Sequence, residues 1–181
     1  MKSKKSPMRN LLTILLVIAA TVFLFRHFHI EDFYIIKPGV LYTSSQPRGM
    51  DYTRLLYRYH IATIVNTRPL SEHQDENWHN EEITWTRSNG VNYREIPIEK
   101  NHYFPDKQTQ EQFLTIMADN RNLPVFLHGG SDDKRVAMLV AVWLEQDQRY
   151  TVEQAIKAVK MIIDDRELTR DEIEFISALV K

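Results

Sequence analysis

Between Pro124 and Arg135 the chain reads Pro-Val-Phe-Leu-His-Gly-Gly-Ser-Asp-Asp-Lys-Arg, an apolar run, then a polar loop, before a second apolar stretch. A strand that turns through such a loop into a helix aims backbone N–H groups and the positive end of the helix dipole at one point. Anions bind at such points, and an arginine at the loop's end adds a two-pronged grip on a phosphate. The candidate anion-binding residues are therefore His128, Gly130, Ser131, Asp132, Asp133, Lys134 and Arg135. A cation opening an apolar helix is costly without a partner. For Arg135 a bound anion and a loop carboxylate such as Asp132 would serve equally, and both readings stand. The chain has no cysteine, which removes thiol nucleophiles, thiolate metal sites and disulfides together.

The elements that must position this loop are legible on either side of it. Phe33 to Tyr42 reads as two short strands about Lys37-Pro38-Gly39, a strong turn signal. Met50 to Tyr59 has helical spacing of Leu55, Leu56 and Tyr59, and Ile61 to Val65 is a β-branched run suited to a buried strand. Ser71 with Gln74 has the form of a capping box and Gly90 that of a stop, so a polar helix is expected between them. Asn92 to Ile96 follows as a strand, Thr109 to Ala118 as a helix, and Val125 to Leu127 as a short buried strand. Val136 to Leu144 is apolar on all sides and predicts a helix surrounded by protein. Thr151 with Gln154, and Thr169 with Glu172, open two further helices. Strands alternating with helices, then a helical tail, give an α/β domain with a short, largely parallel central sheet flanked by helices in three layers.

Ahead of this domain, Leu11 to Phe25 is a run of fifteen residues in which only Thr13 and Thr21 are polar, preceded by Lys2, Lys4, Lys5 and Arg9. A cleaved signal peptide would need a small-x-small site after Phe25, and a buried core helix would leave the four charges without a purpose. The expectation is an uncleaved anchor over residues 11–30, a basic flank over 1–10 and the folded domain over 31–181. Such an anchor makes the bilayer a partner and places the domain outside the cytoplasm, in the periplasm of a Gram-negative cell. Without the five basic residues before Glu31, 18 basic face 24 acidic residues, a body near −6. That sign excludes non-specific nucleic-acid binding.

From His128 to Arg135 the loop resembles the His-Cys-x-x-Gly-x-x-Arg signature of cysteine-dependent tyrosine and dual-specificity phosphatases. The resemblance runs over roughly residues 33 to 181, through Phe33 to Pro47, Ile61 to Pro69, Tyr93 to Ile98 and Phe113 to Met117. It is closest to the compact bacterial and atypical dual-specificity members. It implies the phosphatase fold, a phosphorylated or anionic ligand and a phosphate-ester chemistry. Three positions depart from the family pattern. Gly129 stands at the nucleophilic cysteine, Asp132 at the loop glycine, and Val136 at the hydroxyl residue that follows the arginine. Glycine cannot form a phosphoryl-enzyme intermediate. The expectation is a pseudophosphatase that binds an anionic ligand or a protein partner, with a non-cysteine phosphoric-ester hydrolase as the alternative. The family's general acid would fall on Glu99 or Asp106, and His128 becomes a structural histidine beneath the loop. Arg68, in Asn66-Thr67-Arg68-Pro69, reads as an ion-pair residue.

Other patterns lead nowhere chemical. His-Gly-Gly also occurs in esterase oxyanion holes, but the chain has no Gly-x-Ser-x-Gly turn. Of seven histidines none forms a helical pair with three residues between, and His73 and His79 lie six apart in a polar segment. No metal site and no cofactor are expected. Trp78 and Trp85 are assigned to core packing.

Overall fold

The computed structural model describes residues 7–28, 30–73, 77–131 and 133–179, with the side chains of 7–9 and 24–28 outside the description. After a first helix, α1 (Pro7–Phe28), come β1 (Tyr34–Lys37), β2 (Leu41–Ser44), α2 (Met50–Tyr57), β3 (Thr63–Asn66), α3 (Trp78–Asn89) and β4 (Asn92–Glu95). Next are α4 (Lys107–Ala118), β5 (Val125–His128), α5 (Lys134–Gln146), α6 (Val152–Ile162) and α7 (Arg170–Leu179). Five strands make one sheet in the order β1-β2-β5-β3-β4. Only the β1–β2 edge pair is antiparallel, and the other three pairings are parallel. The turn between β1 and β2 closes through Val40 N–H donating to Lys37 O, with Gly39 at a φ of 73° that a side chain would strain.

The strand that carries the loop lies in the middle of the sheet, and its alternation explains the layers. Val125 and Leu127 of β5 join Leu41 and Val65 in a core packed against α4, α5, α6 and α7. Phe126, between them in sequence, faces the other way into a core with Tyr42, Ile64, Leu55 of α2 and Val91. Period-2 side-chain alternation thus buries both faces of a central strand. Every residue of α5 from Arg135 to Glu145 is buried, as its all-round apolar sequence predicts. The Thr151–Gln154 box is formed in both directions, and Thr169 and Glu172 bond reciprocally across the start of α7.

Two expectations change. The helix after Asn66 begins at Trp78, following a single 3₁₀ turn at Leu70–Glu72, and the Gln74 half of the expected capping box lies outside the described residues. The second change concerns the N-terminus. Among the described residues no helix is long and apolar enough to cross a membrane. The uninterrupted apolar run Leu11–Phe25 holds fifteen residues, where a span needs about twenty. The single-pass anchor over residues 11–30 is therefore overturned, and with it the bilayer as partner and the placement of the domain outside the cytoplasm.

One buried group stands apart from the core's logic. Glu145, near the end of α5, is only 7% exposed, and neither carboxylate oxygen has a hydrogen-bond partner among the described residues. Desolvation pushes its pKa up to about 7. A folded-state pKa above the unfolded value means the native state holds the extra proton, so stability falls as pH rises from about 4.5 through about 7. Glu145→Gln should therefore raise Tm by a few degrees at pH 8 and leave it nearly unchanged at pH 5, as read by thermal unfolding at the two pH values.

Candidate functional site

The loop from Gly129 to Asp133 joins the C-terminal end of β5 to the N-terminus of α5, both fixed by burial. Asp133 is the N-cap of α5, its carboxylate accepting from Arg135 N–H at 2.9 Å. The same carboxylate accepts from Gly130 N–H at 2.5 Å, from Arg135 Nε at 2.8 Å and from Arg135 Nη2 at 2.7 Å. Two loop amides and a two-pronged guanidinium thus converge on one anion, and that anion belongs to the chain itself. On its other side Arg135 donates through Nη1 to Glu72 Oε1 at 2.7 Å and to the Ile98 carbonyl at 3.2 Å.

Charge and burial fit together in this cluster. Arg135 and Asp133 are both nearly inaccessible, at 3% and 7%. Burial alone would lower the arginine's pKa, but the bonds and charges of Asp133 and Glu72 outweigh it and hold the guanidinium firmly charged. Burial would likewise raise Glu72, yet Arg135 and then Arg68 keep it below the usual carboxylate range. Arg68 pairs with Glu72 at 2.9 Å and lies over the Trp78 ring at 4.1 Å, the structural role its sequence context suggested.

Gly129 is fitted to this arrangement by space. A Cβ there would overlap the Asp133 carboxylate and come within 2.8 Å of Thr67 Oγ1. Beneath the loop, His128 is fully buried, with Nε2 3.1 Å from Glu82 Oε1 on α3. The approach is close but poorly aligned for a hydrogen bond, so it is better described as an electrostatic contact. Tyr52 of α2 also reaches Glu82, at 3.3 Å, and burial followed by that carboxylate's charge pushes the phenol's pKa up.

Above the loop opens a cleft of about 560 Å³ lined by Arg48, Arg68, Lys100, Lys134 and Arg135 against Glu31, Glu72 and Asp133. Arg68 and Arg135 are neutralised by Glu72 and Asp133, which leaves Arg48, Lys100 and Lys134 against Glu31, a small surplus of positive charge. Lys134 leans over the Tyr103 ring at 4.7 Å and lies 3.6 Å from the buried Glu172. Gly130 and Ser131 line the cleft, Asp132 lies outside the described residues, and His128 sits below the floor. Neither expected general acid lines it. Glu99 is exposed, and Asp106 caps α4, bonded to Thr109 N–H at 2.8 Å. The Thr109 backbone bond lowers the Asp106 pKa, the opposite of what an acid catalyst needs.

Two side chains of the site, Glu72 and Glu82, were missed in the sequence, and Asp133 was named there without its capping role. The helix assigned from Val136 starts at Lys134, so the capping position fell on Asp133 unnoticed. Glu72 was visible only as the i+4 partner of Arg68. Glu82 lies on the Trp78–Glu82–Thr86 stripe that α3 buries. A further cluster forms where β4 pairs along β3, for His73, His79 and Glu95 each bring a donor atom within 4.8 Å of the others.

A family model described as a dual-specificity and tyrosine phosphatase domain fused to NAD+ kinase matches residues 40–176. The chain belongs to this phosphatase family. The tyrosine-protein phosphatase-like protein OCA2 of Saccharomyces cerevisiae is 24% identical over 106 residues, which is 56% of this chain and 49% of that protein. The chain thus spans about half the length of this curated relative. Among solved structures, the core catalytic domain of the PP-IP phosphatase SIW14 from S. cerevisiae, in complex with citrate, gives a TM-score of 0.67 at 17% identity. That match covers 81% of this chain and 84% of the other. PTPMT1 in complex with PI(5)P gives 0.64 at 16% identity over 82% and 94%. These likenesses fix the phosphatase fold expected from the sequence.

In this phosphatase-fold chain Gly129 and Asp133 should be energetically coupled. Gly129→Ala should cost about 1–3 kcal/mol through overpacking. In an Asp133→Ala background the added cost should shrink by more than half, which a double-mutant cycle of urea denaturation would measure.

Proposed function

We propose that this chain is a non-hydrolysing member of the phosphatase family, which keeps the anion-binding loop closed with its own Asp133 carboxylate and receives a phosphorylated ligand in the cationic cleft above. The observation that carries this reading is the Asp133 carboxylate seated against Gly129, held by Gly130 N–H and the Arg135 guanidinium. By the resemblance of the loop, Gly129 takes the place of the nucleophilic cysteine, and a residue without a side chain forms no phosphoryl-enzyme bond. The donors that would stabilise a transferring phosphoryl group are already engaged by a carboxylate of the same charge sign. Arg48, Lys100 and Lys134 remain to attract an anion to the cleft mouth. The ligands held by fold relatives, citrate and PI(5)P among them, are anions too.

A hydrolase that uses water in place of cysteine is the competing reading, favoured by the phosphatases in the family and by the retained Arg135. It would need a proton donor in the cleft, and Glu99 and Asp106 both lie outside its lining. One pair of measurements separates the two. The unaltered protein should hydrolyse an aryl phosphate no faster than Arg135→Ala does. Asp133→Ala, with its folding checked by circular dichroism, should bind inorganic phosphate or tungstate at least about ten-fold more tightly than the unaltered chain, because an internal competitor has gone. Turnover that disappears in Arg135→Ala would overturn the non-hydrolysing reading. Unchanged anion affinity in Asp133→Ala would overturn the closed-loop part of it.

A further inference from the structure

His73 follows the 3₁₀ turn that carries Glu72, His79 lies in the first turns of α3, and Glu95 ends the edge strand β4. One ring nitrogen of each histidine and one oxygen of Glu95 lie within 4.8 Å of one another. His79 Nε2 is 2.6 Å from Glu95 Oε1, and the two imidazoles stack with centroids 3.9 Å apart. His73 Nε2 lies 3.0 Å from the Arg68 carbonyl, which can only accept, so this nitrogen carries the proton. That tautomer leaves a lone pair on Nδ1, and Nδ1 is buried with no partner among the described residues.

From this geometry we infer that His73, His79 and Glu95 form a binding site for a divalent transition-metal cation, with Zn²⁺ the first choice. Two imidazoles and one carboxylate are a donor set that zinc accepts, with a fourth position left to water. Metal-bound histidines characteristically donate their second ring N–H to a backbone carbonyl, as His73 does to Arg68. Tetrahedral bonds of about 2 Å set donors roughly 3.3 Å apart, so side-chain rotation of the partly exposed His79 and Glu95 closes the remaining gap. An ion pair between His79 and Glu95 accounts for two members of the cluster. It explains neither the orphaned Nδ1 of His73 nor the second imidazole stacked against the first.

The test uses the full chain and Co²⁺, whose d–d absorption reports coordination by nitrogen and oxygen donors, followed by displacement with Zn²⁺. One Co²⁺ should bind per chain. His79→Ala and Glu95→Gln alter partly exposed side chains, and each should weaken binding at least about ten-fold; His73→Ala should do the same, with folding checked by circular dichroism. His60→Asn, at a left-handed position with a φ of 53° that asparagine tolerates, should leave the affinity unchanged. No saturable absorption at a large excess of Co²⁺ would overturn the site. So would binding that persists in both His79→Ala and Glu95→Gln.

Discussion

A guanidinium 3% exposed, at the head of a helix buried from Arg135 to Glu145, sets the terms for everything around it. Stripping a cation of water costs several kcal/mol, and only well-aligned carboxylates or a bound anion return that energy. Arg135 finds two carboxylates in its own chain. Asp133 takes Nε and Nη2, and Glu72 takes Nη1. The site is thus satisfied before any ligand arrives. Its neighbours follow from that: the cap of α5, the glycine that leaves room for the carboxylate, and the 3₁₀ turn that brings Glu72 across from β3.

The sheet supplies the rigidity that such a cluster needs. Because β5 lies between β2 and β3, its end cannot move without breaking two parallel ladders. Alternation then sends Leu127 into the core with α5, while His128 goes to the α2–α3 side, where Glu82 and Tyr52 wait. Glu82 of α3 thereby supports the loop from beneath, and the dipole of α5 faces it from the front. Asp133, held from several directions at once, loses little further entropy by staying in place.

What could be read in the sequence was local. The Pro-Gly turn, the all-apolar helix α5, the Thr151–Gln154 box and the seven-residue spacing from His128 to Arg135 each depend on neighbours close in the chain, and each appears where expected. The failures were of three kinds. Contacts such as Glu72–Arg135 and His79–Glu95 arise from strand order, and no periodicity in one segment reports them. The anchor failed because a fifteen-residue apolar run was extended to spanning length by its flanks, and among the described residues no helix is long and apolar enough to cross a membrane. Asp133 was a failure of two residues: starting α5 at Val136 hid the capping position and sent attention to Asp132.

On the proposed non-hydrolysing reading, glycine at the nucleophile's place and the internal anion are one change. A side chain at position 129 and the present carboxylate at position 133 claim the same volume. A thiolate there would also face that carboxylate as one negative charge against another, in surroundings too dry to screen them. Asp133 in this pose therefore demands glycine, and a nucleophile demands that Asp133 leave. If Asp133 left, Arg135 would keep Glu72 but lose its other partner, and the two loop amides would turn toward whatever anion the cleft admits. Cysteine introduced alone would meet an occupied loop. Removing the carboxylate alone would expose an anion site with nothing to attack. The physical state of the loop is set by the pair, so the identity of residue 129 carries chemical meaning only together with that of residue 133.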